Sequence, residues 1–234
     1  MRKALVQIAA IGVVIGVLVT LAAVLLQWLP DSATVQFDRI QDIYWFATAL
    51  SIVIFSLVAA VVLYAVWKWR VPLDDDRDGP PIHGNTSLEI VWTAVPAALV
   101  LILGIVSAFV LSANGKASAH QLQVKAIGQQ FTWKFQYPGY GDVTSGELVL
   151  PIHEQTKIEL SSLDVIHSFW VPQWGQKQDA VPGIATSILV TPTRTGEFAV
   201  ICTELCGLGH ATMRAKAKVV SPADFEKWVK EQKA

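Results

Sequence analysis

Three stretches of this chain contain no charged residue: 4–30, 43–67 and 90–115. Each is longer than the roughly 20 apolar residues a helix needs to cross the hydrocarbon of a bilayer. Left in water, three such segments would expose far more apolar surface than a soluble domain tolerates, so the first half of the chain is read as membrane-anchored. Charged residues make up only 16% of the chain, against about 25% in an ordinary soluble domain. The deficit lies in the first half. From residue 116 onward the sequence is polar and mixed, with 12 Lys/Arg against 11 Asp/Glu. That balance, with no basic block and no arginine-rich arm, argues against a nucleic-acid partner.

The flanks of the apolar stretches give an orientation. Arg2 and Lys3 precede the first, which ends at Pro30. Residues 1–30 read as a signal peptide or as an extra transmembrane helix. The run exceeds the usual signal core of about 7–15 residues, and no sharp cleavage motif follows, which favours a retained anchor. Residues 41–115 read as a transmembrane hairpin. Tyr44 and Trp45 mark one interface of its first span, Trp67 and Trp69 the other, as amphipathic rings prefer. Lys68, Arg70 and Arg77 sit in the short connecting loop. Positive residues in short loops favour the cytoplasm, and the aspartates at 74–76 count little in that rule. The third stretch then returns the chain outward. The expected location is a bacterial-type plasma membrane, multi-pass, with residues 116–234 outside the cytoplasm.

Beyond residue 116 the pattern changes to alternation. Leu122, Val124 and Ala126 alternate with Gln123 and Lys125, and similar runs occur at 157–160, 187–190, 197–201 and 214–220. Turn pairs such as Pro138-Gly139 and Pro182-Gly183 separate them. Short alternating strands divided by such turns predict an all-β sandwich or barrel. The tail is different: Ser221 suits an N-cap, Pro222 the first helical position, and Phe225, Trp228 and Val229 share one face.

The scarce residues cluster. The chain has two cysteines, Cys202 and Cys206, and apart from Met1 a single methionine, Met213. With His210 they fall on one predicted loop between two strands. Thiolate and thioether select copper(I), and imidazole suits copper in both oxidation states. Gly207 and Gly209 are expected to let the loop fold back on itself. Three other arrangements use fewer of these residues. A Cys202–Cys206 disulfide ignores His210 and Met213; structural zinc would not use Met213; a single blue-copper site leaves one cysteine idle. A dinuclear site with two bridging thiolates uses all of them but requires a second histidine. His153 and His167 are the candidates, and His120, close to the apolar stretch, is a weaker one.

The run Asp-Val-Ile-His-Ser-Phe-Trp-Val-Pro at 164–172, followed by Lys-Gln-Asp-Ala-Val-Pro-Gly at 177–183 and Cys-x-Glu-x-Cys-x3-His-x2-Met at 202–213, resembles cytochrome c oxidase subunit II. The resemblance spans residues of about 41–230. It implies a cupredoxin-like β-sandwich or barrel behind the membrane helices, with two copper ions bridged by Cys202 and Cys206. His167 and His210 would be terminal ligands, and Met213 and the Glu204 carbonyl weak axial ones. The Glu204 side chain would face a magnesium or manganese ion at the boundary with subunit I. Glu89 would stand at the cytoplasmic end of a proton path into subunit I, although an interfacial charge ending a span explains it equally without the family. The implied partners are subunit I, other oxidase subunits and cytochrome c or another c-type haem donor. The implied activity is transfer of electrons from that donor to haem in subunit I, for reduction of oxygen to water coupled to proton translocation.

Two positions depart from the family pattern. In the aromatic region Gly-Gln-Gln-Phe-Thr-Trp-Lys-Phe-Gln-Tyr (128–137), the tryptophan that usually receives the electron is Phe131, while Trp133 is retained. Many members also present several acids to a basic cytochrome c; here Asp164 and Asp142 remain in a near-neutral domain, so weaker steering, or a different or tethered donor, is expected. No Cys-x-x-Cys-His occurs, so no haem is expected in this chain. A quinol oxidase subunit would lack the ligand set. A nitrous-oxide reductase copper domain would lack the helical hairpin, and a copper carrier would not need Glu89 or Glu204.

Overall fold

The alternation seen in the second half becomes ten strands in the computed structural model, which describes residues 2–72, 74–75 and 77–233. Asp76 of the charged loop lies outside them. The chain divides into two units, residues 1–29 with 43–108, and residues 30–42 with 109–234.

The first unit is helical. α1 (Arg2–Leu25), α2 (Val35–Lys68) and α3 (Thr86–Asn114) are each long and apolar enough to cross a membrane. α1 packs on α2 through small residues: a side chain added at Gly12 would meet Ala60, and one at Gly16 the Ser56 hydroxyl at 3.3 Å. The remaining apolar faces are bare. Val53, Trp67, Trp92 and Val100 are all exposed, an arrangement stable only where lipid or another apolar chain covers them. At about 51 Å (34 residues at roughly 1.5 Å each), α2 exceeds the span requirement, and its first turns belong to the second unit. There the Gln36 side-chain carbonyl accepts from the Thr191 N–H at 2.9 Å, and Phe37 packs on Gly175.

The second unit is a sandwich of two five-stranded sheets. One holds β1 (Leu122–Gln129), β2 (Thr132–Tyr137), β3 (Val143–Ser145), β5 (Thr156–Ser162) and β8 (Thr186–Val190), in the order β3-β2-β1-β5-β8. The other holds β4 (Glu147–Pro151), β6 (His167–Trp170), β7 (Lys177–Ala180), β9 (Gly196–Cys202) and β10 (Arg214–Val220), in the order β4-β10-β9-β6-β7. β1 pairs parallel with β5, and β4 with β10; the other pairings are antiparallel. This is the cupredoxin-like arrangement the sequence implied. β1, β2 and β5 alternate as expected at a half-buried face: on β2, Trp133, Phe135 and Tyr137 point inward and Thr132 and Lys134 outward. α4 (Pro222–Lys233) closes the sandwich, with the Ser221 hydroxyl accepting from the Asp224 N–H at 3.2 Å and Phe225 and Val229 buried.

A buried polar contact joins the two sheets. β4 is an edge strand, and its Val149 has a free N–H and C=O. The Tyr137 hydroxyl, from the opposite sheet, accepts from that N–H at 2.7 Å and donates to that C=O at 3.1 Å. Burial keeps the phenol neutral far above its ordinary range. Tyr137→Phe leaves both backbone groups buried without a partner, at about 1–3 kcal/mol each. Denaturant unfolding of the full chain in detergent, followed by tryptophan fluorescence, is expected to show a loss of about 2–6 kcal/mol; a change below about 0.5 kcal/mol would mean the phenol contributes only packing.

Candidate metal centre

The ligand loop is held at both ends by the ladder between β9 and β10. Arg214 pairs with Ile201, and the Cys202 N–H bonds to the Met213 carbonyl at 3.2 Å. The last residue of one strand and the residue before the next are therefore neighbours, although the loop between them carries the other donors. On its far side β9 pairs with β6, with Phe169 opposite Cys202. One further bond, from the Thr203 N–H to the Ser168 carbonyl at 3.0 Å, carries the pairing onto the loop. This register brings His167 to the cysteines. His120 and His153 are exposed and outside the cluster, so of the three candidate histidines the fold selects His167.

The donor atoms converge. The two thiol sulfurs are 3.9 Å apart. The Nδ1 atom of His167 is 3.8 Å from the Cys202 sulfur, and that of His210 is 3.6 Å from the Cys206 sulfur. The Met213 sulfur lies 3.7 Å from Cys206, and the Glu204 carbonyl 3.3 Å from Cys202. Both cysteines are free and buried, as are His167 and Met213, while His210 sits at the rim. A disulfide would need the sulfurs at about 2.05 Å. All these separations are shorter than two metal–ligand bonds end to end, taking about 2.3 Å to sulfur and 2.0 Å to nitrogen. Neighbouring donors can thus share an ion without rearrangement. Burial, with the Cys202 thiol close by, pushes the Cys206 thiol up to about 11. Such a thiol gives up its proton to a metal rather than to water.

Around the donors lies a supporting set that sequence reading had missed or assigned elsewhere. Asp164 was counted as a surface acid. Its Oδ2 accepts from the Gln130 N–H at 2.8 Å, and its Oδ1 accepts from the Val165 N–H at 2.7 Å and lies 2.9 Å from Nε2 of His167. Burial opposes its ionisation, but the Gln130 N–H, the His167 ring and the Val165 N–H outweigh it and hold the carboxyl at about 2. The Gln130 side-chain amide donates to the Cys206 carbonyl. The Asp-x-x-His spacing was the available signal for Asp164; nothing in the sequence singled out Gln130.

Of the two loop glycines, only Gly207 meets a backbone need, as expected; Gly209 acts differently. Gly207 has φ +129°, which a side chain would resist. Gly209 has an ordinary backbone; a side chain there would collide with the Phe131 ring, whose face lies 2.5 Å from the position a Cβ would take. A Cβ at Gly128 would come within 2.9 Å of the His167 ring. Of the two aromatic candidates, Trp133 is in the core, its ring centroid 6.0 Å from that of His167. Phe131, 38% exposed, reaches the surface. The Glu204 side chain is exposed. Glu89 lies in the first turn of α3, in the helical unit, where its carboxylate accepts from the Asn85 N–H at 3.1 Å while the Asn85 side chain accepts from the Leu88 N–H at 3.2 Å. That reciprocal pair is a helix cap.

Comparison with known proteins identifies a family. The profile described as cytochrome C oxidase subunit II, periplasmic domain, matches residues 143–220, and that of the subunit II transmembrane domain matches residues 22–110. Cytochrome c oxidase subunit 2 of Thermostichus vulcanus is 30% identical, over 88% of this chain and 79% of that protein. The subunit 2 of Synechocystis sp. is 29% identical, over 94% of this chain and 82% of that protein. Among solved structures, the periplasmic domain of subunit II of cytochrome oxidase of Bradyrhizobium japonicum aligns with a TM-score of 0.48 at 30% identity, covering 50% of this chain and 97% of that one. With membrane helices, a cupredoxin-like sandwich and a His/Cys/Cys cluster suited to copper, this chain belongs to the cytochrome c oxidase subunit II family.

Proposed function

We propose that this chain is the electron-input subunit of a haem-copper oxidase, holding two copper ions between Cys202 and Cys206, accepting electrons from cytochrome c or another c-type donor and passing them to haem in subunit I. The observation that carries this reading is the doubling of the donor set. Two thiols 3.9 Å apart are each accompanied by an imidazole nitrogen, His167 on the Cys202 side and His210 on the Cys206 side. Two weaker donors lie beside them, the Glu204 carbonyl 3.3 Å from the Cys202 sulfur and the Met213 sulfur 3.7 Å from that of Cys206. One ion cannot use all six; two ions sharing the thiolates can. When bound, the copper pair supplies reversible one-electron chemistry with the charge shared between two metals.

The chain's own residues prepare that site. With its Nε2 bonded to Asp164, His167 keeps the Nδ1 lone pair directed at the Cys202 side, the role a carboxylate beside a metal-binding imidazole usually plays. Phe169 and Trp133 pack edge to face at 5.7 Å behind it and exclude water. Phe131, on the β1–β2 turn and packed against the ligand loop, offers an aromatic edge at the surface where the donor would approach.

The finer features of the reading follow from the family. The exposed Glu204 carboxylate would meet a magnesium or manganese ion shared with subunit I. Glu89 would serve proton uptake for translocation; its place in a helix cap supports the plainer structural role equally. The packing of α1 on α2 supports three retained spans, and the basic loop between α2 and α3 supports a sandwich outside the cytoplasm.

The full-length chain loaded with copper is expected to hold two ions, with an electron spin resonance pattern of one unpaired electron shared equally. A single-copper pattern, or a copper-free chain with a Cys202–Cys206 disulfide, would sink the reading. Asp164→Ala is expected to weaken copper binding by about 10–100-fold in chelator competition, with the sandwich still folded by circular dichroism. An unchanged affinity would show that packing alone orients His167.

A further inference from the structure

Residues 30–42 precede the sandwich by more than seventy positions of sequence on average, yet they belong to its unit. Thr34 shows how the join is made. Its hydroxyl accepts from the Phe37 N–H at 3.1 Å, which caps the start of α2, and donates to the Trp174 carbonyl at 3.2 Å on the β6–β7 loop. The Ala33 N–H donates to the Gln173 carbonyl at 2.9 Å, and the Phe37 ring fills the space that a side chain at Gly175 would need. The residue that begins the helix is therefore also the one that docks it.

Gln36 is at the centre of the arrangement and is 2% exposed. Its side-chain carbonyl accepts from the Thr191 N–H at 2.9 Å, and its amide donates to the Thr191 hydroxyl at 3.3 Å, on the segment that follows β8. Its backbone carbonyl accepts from the side chain of Asn114, the last residue of α3, at 3.3 Å. Arg39 donates to the Asn114 side chain at 3.1 Å and to the Ala113 carbonyl at 3.3 Å. Thr34, Gln36 and Asn114 are all buried. An apolar seam of the same area could slide, whereas these buried polar groups are satisfied in one register and lose partners in any other. Covalently, α3 reaches β1 through residues 115–121, which form no helix or strand. Gln155 holds that linker at the Lys116 carbonyl, at 3.1 Å, but its contact does not extend to α2. Such a linker by itself leaves a domain free to tilt.

We propose that Thr34, Gln36 and Asn114 are positioning residues, a polar clamp that fixes the sandwich on the start of α2 and the end of α3 and so sets the distance an electron crosses on leaving the metal centre. This rests on the electron-input reading above. The step served moves one electron from the copper pair to haem iron in subunit I, with no bond made or broken. Its rate falls steeply with separation, and a misplacement of about 1 Å can cost an enzymatic step about 100-fold. α2 continues unbroken from Val35 to Lys68, so whatever holds that span in the membrane also holds the clamp.

The test uses the purified oxidase containing this chain, with two variants. Gln36→Leu keeps the volume and removes both bonds to Thr191; Asn114→Ala leaves every bond between residues 33–37 and the sandwich in place. Two rates are read by flash photoreduction with a ruthenium complex: reduction of the copper pair, and passage of the electron from copper to haem. Passage is expected to fall about tenfold in Gln36→Leu and at least about threefold in Asn114→Ala, with copper reduction and the copper spin resonance signal unchanged. In the copper-free full chain in detergent, Gln36→Leu is expected to quicken hydrogen exchange about tenfold at Thr191 and to leave 202–213 as they were. Passage unchanged within about twofold, or unchanged exchange at Thr191, would overturn the proposal. An altered copper signal or faster exchange at 202–213 would also overturn it, because the residues would then be supporting the ligand loop instead. Should Gln36→Leu not assemble with the other subunits, Asn114→Ala decides on the same passage rate and copper signal. If the unaltered oxidase passes no electron from copper to haem, the electron-input reading itself fails and the clamp has no step to serve.

Discussion

Everything at the metal centre depends on the ladder that closes the ligand loop. The pairing of Arg214 with Ile201, extended by the bond from Cys202 to Met213, fixes two donors across one strand pair. The pairing of β6 with β9 adds His167 from the other side. A one-residue slip in either register would turn the corresponding donor to the opposite face of its sheet. The loop contributes Cys206 and His210 within a turn whose ends cannot move. Preorganisation of this kind would reduce the change in geometry that accompanies gain or loss of an electron at a metal held there, which the proposed electron-input role requires.

That geometry has a cost when no metal neutralises it. Two thiols in a buried pocket, one pushed up to about 11, cannot both ionise without a compensating cation. Metal binding and thiol deprotonation are therefore one event. Asp164 acts on the imidazole rather than on the thiols: as an anion bonded to His167, it favours a ring with its proton on Nε2 and its lone pair free. The carboxylate that the sequence offers as a docking charge is engaged by His167 and by the Gln130 and Val165 N–H groups.

Much of this was legible in the residues. Alternation marked the strands, charge-free runs the helices, and the coincidence of Cys202, Cys206, His210 and Met213 within twelve positions the ligand loop. The second histidine was not legible from pattern alone, since it comes from a strand distant in sequence and only sheet order decides between His153 and His167. Gln130 and Gly128 were invisible for the same reason: each matters through a neighbour from another segment, Cys206 and His167 respectively. Gly209 was noticed for the wrong reason. A glycine in a loop is read as a backbone need, whereas here it makes room for a ring.

That last detail bears on the departure from the family pattern. Position 131 is not a free surface ring that can be exchanged without consequence, because it packs on the ligand loop at Gly207 and Gly209. A phenylalanine there has no N–H to satisfy and buries part of its area against the loop, so it braces the turn that carries Cys206 and His210 while leaving an apolar edge outside. Leu163 and Leu208 beside it extend the same character. The aromatic that braces the metal loop and the apolar edge exposed beside it are thus one structure, and a change in the chemistry of either is felt by both.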